Sequence, residues 1–81
     1  GDVNEKFRLQ LDKGFSEQEG CIIECLKEAQ ELGEIRKEID CKLAGRFVIN
    51  SWHGALVRMK AAGNVKPLED FKTMILQFLK S

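Results

Sequence analysis

"CKLAGRFVINSWHGALVRMKAA", residues 41–62, is the stretch that decides the fold. Its apolar residues recur at helical rather than alternating spacing, which predicts one long helix. At a rise of roughly 1.5 Å per residue, that helix would be about 33 Å long. Asp40 precedes it as a good N-cap, because a carboxylate there accepts from the free amides of the first turn. Gly63 and Asn64 follow as a stop. Projected onto a helix, Ala44, Val48, Trp52, Ala55, Leu56 and Met59 share one face. Leu43, Phe47, Asn50, Ser51, Gly54 and Val57 share a second, and only a strip around Lys42, Arg46 and Lys60 is plainly polar. A helix apolar on two sides needs two partners. One is the rest of the chain; the other comes from outside it.

Outward from this stretch the pattern stays helical, so the fold class is all-α. Upstream, Val3, Phe7 and Leu11, with Leu9, mark a first segment over 3–12, with Gly14 as its expected stop. Ser16 with Glu19 three residues later has the capping-box arrangement and predicts a second helix over 17–32. Ile22, Cys25, Leu26, Ala29 and Leu32 lie on one of its faces, and Gly33 ends it. The polar run "EIRKEID", residues 34–40, reads as a solvated connector. Downstream, Pro67 suits the first turn of a last helix over 66–80, where a missing N–H costs nothing. Glu69 and Asp70 near its start and Lys80 near its end agree with the helix dipole. Leu68, Phe71, Ile75 and Phe78 form its stripe, broadened by Met74 and Leu79.

The second face of the long helix is the informative one. Gly54 costs about 1 kcal/mol against alanine in a helix interior, and what it offers in return is a backbone another helix can approach closely. Ser51, one turn earlier, is also small. The two apolar helices cannot bury their faces on each other alone, whereas doubling them across a two-fold axis makes a four-helix bundle. A homodimer is therefore expected, with Phe47, Asn50, Ser51, Gly54, Val57, Arg58, Phe71, Ile75 and Phe78 at its interface. Arg58 and Lys60 are expected to meet Glu69 or Asp70 across the bundle.

The bulk numbers narrow the function. Eighty-one residues make one small domain, and a chain this size buries only about 60% of its unfolded surface. Thirteen basic and thirteen acidic residues cancel, so the basic excess of a nucleic-acid binder is missing. No apolar run approaches the roughly 20 residues that span a bilayer. Three cysteines do not form a secreted disulfide framework, and together with the lack of a signal-peptide pattern they suggest a reducing cytoplasm. The chain opens on Gly1 rather than methionine, as a piece of a longer protein would.

Two stretches carry a resemblance. "LAGRFVINSWHGALVRMKAAGNVKPLEDFKTMILQFL", residues 43–79, resembles the C-terminal end of TetR/AcrR-family transcriptional repressors. "GCIIECLKEAQEL", residues 20–32, resembles the helix before it in that family. The small-residue motif, the "RMK" ending and the "PLEDF" opening carry the likeness together. It implies that residues 17–32, 40–62 and 66–80 match the family's last three helices, with 3–12 the tail of the one before. It further implies that residues 1–81 are the C-terminal part of a regulatory domain whose last two helices form a dimer bundle. That domain binds a small-molecule effector, and occupancy is passed to N-terminal helix-turn-helix heads that bind DNA. Those heads are absent from this sequence, so DNA would be reached only through them.

The remaining constellations favour packing over chemistry. His53 beside Trp52 lacks an acid at helical spacing, so a general base or nucleophile assembly is not built. Trp52 is expected in the core between the long helix and the helix before it. Cys21 and Cys25 share a helix face at i, i+4, but tetrahedral zinc wants four ligands and only Cys41 and His53 remain. Neither a phosphate-binding glycine loop nor a paired-carboxylate cleft is evident. The chain is thus expected to be no enzyme and to need no cofactor. Cys21, Cys25, Trp52, His53 and Leu56 are the candidate effector-pocket residues. Two alternatives stay open: a free-standing helical adaptor using the same apolar face for another protein, and a thiol-based redox sensor, which needs an exposed cysteine of lowered pKa.

Overall fold

The computed structural model describes residues 3–80, and from Glu5 onward their side chains. The Val3 side chain and Gly1, both used above, lie outside the described residues. Three helices follow one another: α1 (Val3–Glu31), α2 (Cys41–Ala62) and α3 (Lys66–Leu79). The bounds of α2 and α3 follow the sequence signals. Asp40 caps α2, its Oδ1 accepting from the Lys42 and Leu43 amides at 3.0 and 3.2 Å. Gly63 closes α2 in the left-handed region at φ 71°, donating to Met59 O at 2.8 Å. Asp40→Ala should lower stability by about 1 kcal/mol, read as a shift of the urea midpoint; an unchanged midpoint would mean water replaces the cap at no cost.

The expected break between residues 12 and 17 does not exist. α1 runs through Gly14, Ser16 and Gly20 without interruption. A glycine in a helix interior costs about 1 kcal/mol, which is less than the hydrogen bonds lost by stopping and restarting the helix. Ser16 and Glu19 therefore sit mid-helix and cap nothing. The end of α1 was legible: Gly33, at φ 79°, donates to Gln30 O, and the Glu34 amide donates to Ala29 O, the paired bonds of a Schellman ending.

α1 and α3 flank α2 on opposite sides, and among the described residues they share no packed stretch with each other. Ile23 lies against Gly45 and Gln18 against His53, so α1 runs antiparallel to α2. Trp52 against Phe71 and Phe47 against Phe78 make α3 antiparallel to α2 as well. The core sits at one end, where Leu26, Ile35, Cys41 and Ala44 cluster with Ile22, Ala29, Ile39 and Leu79 around them. Ile35 is only 7% exposed, so the connector is no solvated turn: it carries an anchor into the core.

The result is a flat layer, with Cα extents of 47 × 31 × 14 Å. The radius of gyration is 15.0 Å, against about 12 Å for a compact chain of this length. The accessible surface is 6380 Å², about 1,500 Å² more than expected for a compact monomer of this mass. No large side chain among the described residues is fully buried. One layer of helices leaves its two broad faces open.

Candidate functional site

Two of the concavities in this layer include residues of α3. The first is a cleft of about 680 Å³ between α1 and α3, floored by α2. Gly14, Glu17, Gln18, Cys21 and Ile22 come from α1, Val48, Ile49 and Trp52 from α2, and Phe71 from α3. It exists because α1 and α3 each pack on α2 and not on each other. Trp52 stands edge-on to Phe71, with centroids 5.8 Å apart. It is 38% exposed, so it is a cleft wall and not the core residue expected from the sequence. The lining is apolar and aromatic, with Gln18 and Glu17 as its polar members; such a surface holds a small apolar molecule by area and orients it by few polar contacts.

The second concavity, about 600 Å³, is a groove between α2 and α3 lined by Leu43, Ala44, Phe47, Met74, Ile75 and Phe78. Arg36, Glu38, Ile39 and Asp40 rim it from the connector. Beyond the groove, the second face of α2 is open: Phe47 is 56% and Val57 66% exposed, and Asn50, Gly54 and Arg58 are exposed with them. Ser51, Phe71 and Ile75 are half-buried, and Phe78 is 48% exposed. The structure thus brings Phe47, Ile75 and Phe78 into one groove. It parts Phe71 from them, turning it into the cleft. A Cβ built on Gly54 meets nothing within 4 Å, so within the chain the glycine makes no close approach. Asp70 bonds Lys66 at 3.1 Å, one turn back on its own helix, so within the chain it pairs with neither Arg58 nor Lys60.

Of the five expected pocket residues, Cys21 and Trp52 line the cleft. Cys25 is exposed one turn further along α1, and Leu56 is half-buried. His53 faces the other way. Its Nε2 lies 3.1 Å from Gln18 Oε1 and its ring edge-on to Phe15 at 4.8 Å, beside a smaller polar hollow that includes Asp12, Glu19 and Asn50. It ties α1 to α2 and has no acid orienting it. Cys41 is buried and its thiol donates to Gln30 Oε1 at 3.4 Å. Among the described residues no group of three His, Cys, Asp or Glu side chains is placed to hold a metal ion.

The sequence reading missed Gly45, Gln30 and Arg36. Gly45 is where α1 and α2 touch: a Cβ there would lie 2.5 Å from Ile23 Cγ1. The signal was available, since Gly45 projects beside Cys41 and Ile49 on the buried side of α2. Arg36 and Gln30 carried no signal, because their partners are backbone carbonyls brought near only by the fold.

The arrangement is a ligand-sized cleft beside an exposed helix face. A family described as "Tetracyclin repressor-like, C-terminal domain" matches residues 1–75. The chain belongs to that family. This repressor-like domain also shares 34% identity over 77 residues with a curated protein named HTH-type transcriptional repressor DhaR, from Mycobacterium sp. (strain GP1). The match covers 95% of the domain but 39% of that relative, so the chain spans about two fifths of the relative's length. No solved structure matches the domain significantly. The family is one of transcriptional regulators, and the all-α fold agrees with the resemblance read from residues 20–32 and 43–79. Among the described residues no helix is long and apolar enough to cross a membrane.

Proposed function

We propose that this domain is the self-associating, effector-responsive end of a cytoplasmic transcriptional repressor, whose DNA-binding helix-turn-helix lies outside residues 1–81. Its work is binding and not catalysis. The observation that carries the reading is the open face of α2 with Phe47, Gly54 and Val57, continuous with the groove holding Ile75 and Phe78. A second copy applied across a two-fold axis would cover α2 and α3 with α2 and α3, making the four-helix bundle. The excess surface supports it: about 1,500 Å² per protomer matches the 2,000 Å² or more in total that stable homodimers commonly bury. The cleft at Cys21, Trp52 and Phe71 suits the effector. The printed name of the relative, a repressor of the helix-turn-helix type, supports the regulatory role.

Sedimentation equilibrium tests the reading. At micromolar concentration the domain should sediment at close to twice its 9.2 kDa chain mass; a species at the single-chain mass throughout that range would refute self-association. The family match and the named relative favour neither the adaptor nor the thiol-sensor alternative.

A further inference from the structure

The connector between α1 and α2 holds the end of α3. A helix leaves its last carbonyls without intrahelical partners, and α3 has no basic residue in its last turn to meet them. Arg36, from far earlier in the chain, meets them instead. Its guanidinium donates to Phe78 O through Nε at 3.2 Å and Nη2 at 2.8 Å. Its backbone N–H donates to Leu79 O at 3.1 Å, and Ile35 forms an antiparallel bridge with Lys80. The same guanidinium carbon lies 5.4 Å from the centroid of the Phe78 ring. A cation at this end also meets the negative pole of the helix dipole.

Arg36 is in turn held from α1. Gln30 Nε2 donates to the carbonyls of Arg36 at 3.0 Å, Lys37 at 3.3 Å and Ile39 at 2.9 Å, so one side-chain amide fixes the course of the connector. α1 and α3 have no packed stretch in common. Apart from α2 and the core cluster, the connector joins them, through the Arg36 N–H on Leu79 O, the Ile35–Lys80 bridge, and the line from Gln30 through the Arg36 carbonyl to the Arg36 guanidinium and the Phe78 carbonyl. α1 also walls the cleft, through Gln18 and Cys21, while Phe78 stands in the groove.

We propose that Gln30 and Arg36 make the α1–α2 connector a strap by which α1 sets the position of the α3 C-terminus and of Phe78 in the self-association groove. Arg36 is a positioning residue, acting through Phe78. The strap stands on its own contacts; only its output, the strength of self-association, rests on the function proposed above. Movement of α1 at the cleft would then reach the dimer seam without passing through the body of α2.

The test combines amide hydrogen exchange with sedimentation on the purified protein. Arg36→Met keeps the stem and the backbone N–H but loses the guanidinium bonds. It should speed exchange of the Lys80 amide, which bonds Leu76 O, by about tenfold, and weaken self-association by about tenfold, as loss of charge-assisted hydrogen bonds at a partly exposed site allows. Arg36→Lys keeps the charge without the paired donation and should fall between, which protects the test if the methionine variant folds poorly. Gln30→Ala should move both readouts the same way by a smaller factor. In an Arg36→Met background, where only the backbone bond to Leu79 O still links the two, it should add less than it does in the wild type, an epistasis that general loosening would not produce. Wild-type exchange at Lys80 in Arg36→Met, or fully additive effects in the double variant, would overturn the strap. If the wild-type protein is a monomer, the self-association reading falls by itself and the exchange result alone decides the strap.

Discussion

Gly45→Leu is expected to lower the stability of the domain by about 3 kcal/mol, at the upper end for overpacked cores. Gly45 is buried where α1 crosses α2, and even a methyl group there would meet Ile23 Cγ1 at 2.5 Å, with Cδ1 at 3.4 Å and Cβ at 3.6 Å behind it. The clash falls on Ile23 Cγ1, and a β-branched side chain in a helix has one strongly preferred χ1, so relief costs either an unfavourable rotamer or a shift of α1 off α2. Gly45→Ala separates the terms. Its added methyl meets the same contact, but alanine gains about 1 kcal/mol in helix propensity, so the net loss should be smaller, near 1 kcal/mol. With a urea dependence of about 1 kcal/mol per molar for a domain this small, the leucine variant should unfold at about 3 M less urea at equal protein concentration. A midpoint within error of wild type would mean that the two helices separate here at no cost.

Gly54→Leu should do the opposite to the protomer and abolish the dimer. Nothing lies within 4 Å of a Cβ at Gly54, so leucine costs the protomer no packing and removes a helix-interior glycine worth about 1 kcal/mol. Across the proposed two-fold axis the same side chain would hold the partner helix several ångströms away and uncover Phe47 and Val57 together. The association constant should fall by at least about 100-fold, the scale at which central interface residues act. Circular dichroism should show equal or greater helix content while sedimentation shows a single chain. Unchanged association in Gly54→Leu would place the seam on another face of the layer. The two glycines, nine positions apart on one helix, are thus expected to separate folding from assembly.

Much of this was legible in the sequence for a physical reason. α2 and α3 are bounded by residues whose effects are local: the Asp40 carboxylate, the left-handed Gly63, the ring of Pro67. Such signals act over one turn, and one turn of sequence suffices to read them. Gly14 and Ser16 show the limit of the same logic, since they have the residue types of a break without the tertiary reason for one. Which face of α2 is open was readable from Leu43, Phe47, Gly54 and Val57, because that face has more apolar surface than the chain covers: even Phe47, which meets Phe78, stays 56% exposed. The closed side was not. The contact at Gly45 depends on where Ile23 lands, and the cleft on where α1 and α3 pack on α2. Trp52 illustrates this well: its size argued for the core, but the layer has too little core to hold it, and it turned to Phe71. Ile35 and Arg36 were hidden inside a run that is polar by composition yet supplies an anchor and a helix cap.

The thinness of the molecule has a consequence for how its sequence can drift. With 14 Å between its faces, the layer has positions that lie in its plane, where helix meets helix, and positions that point out of it. Gly45, Ala44, Ile49 and Ala55 are in the plane and buried, and each is held by a neighbour. Leu43 and Val57 are more than half exposed, and the fold fixes their identity only weakly. Substitutions there can remake what the face recognises while leaving the three helices as they are, so that a change of partner need not begin with a change of fold.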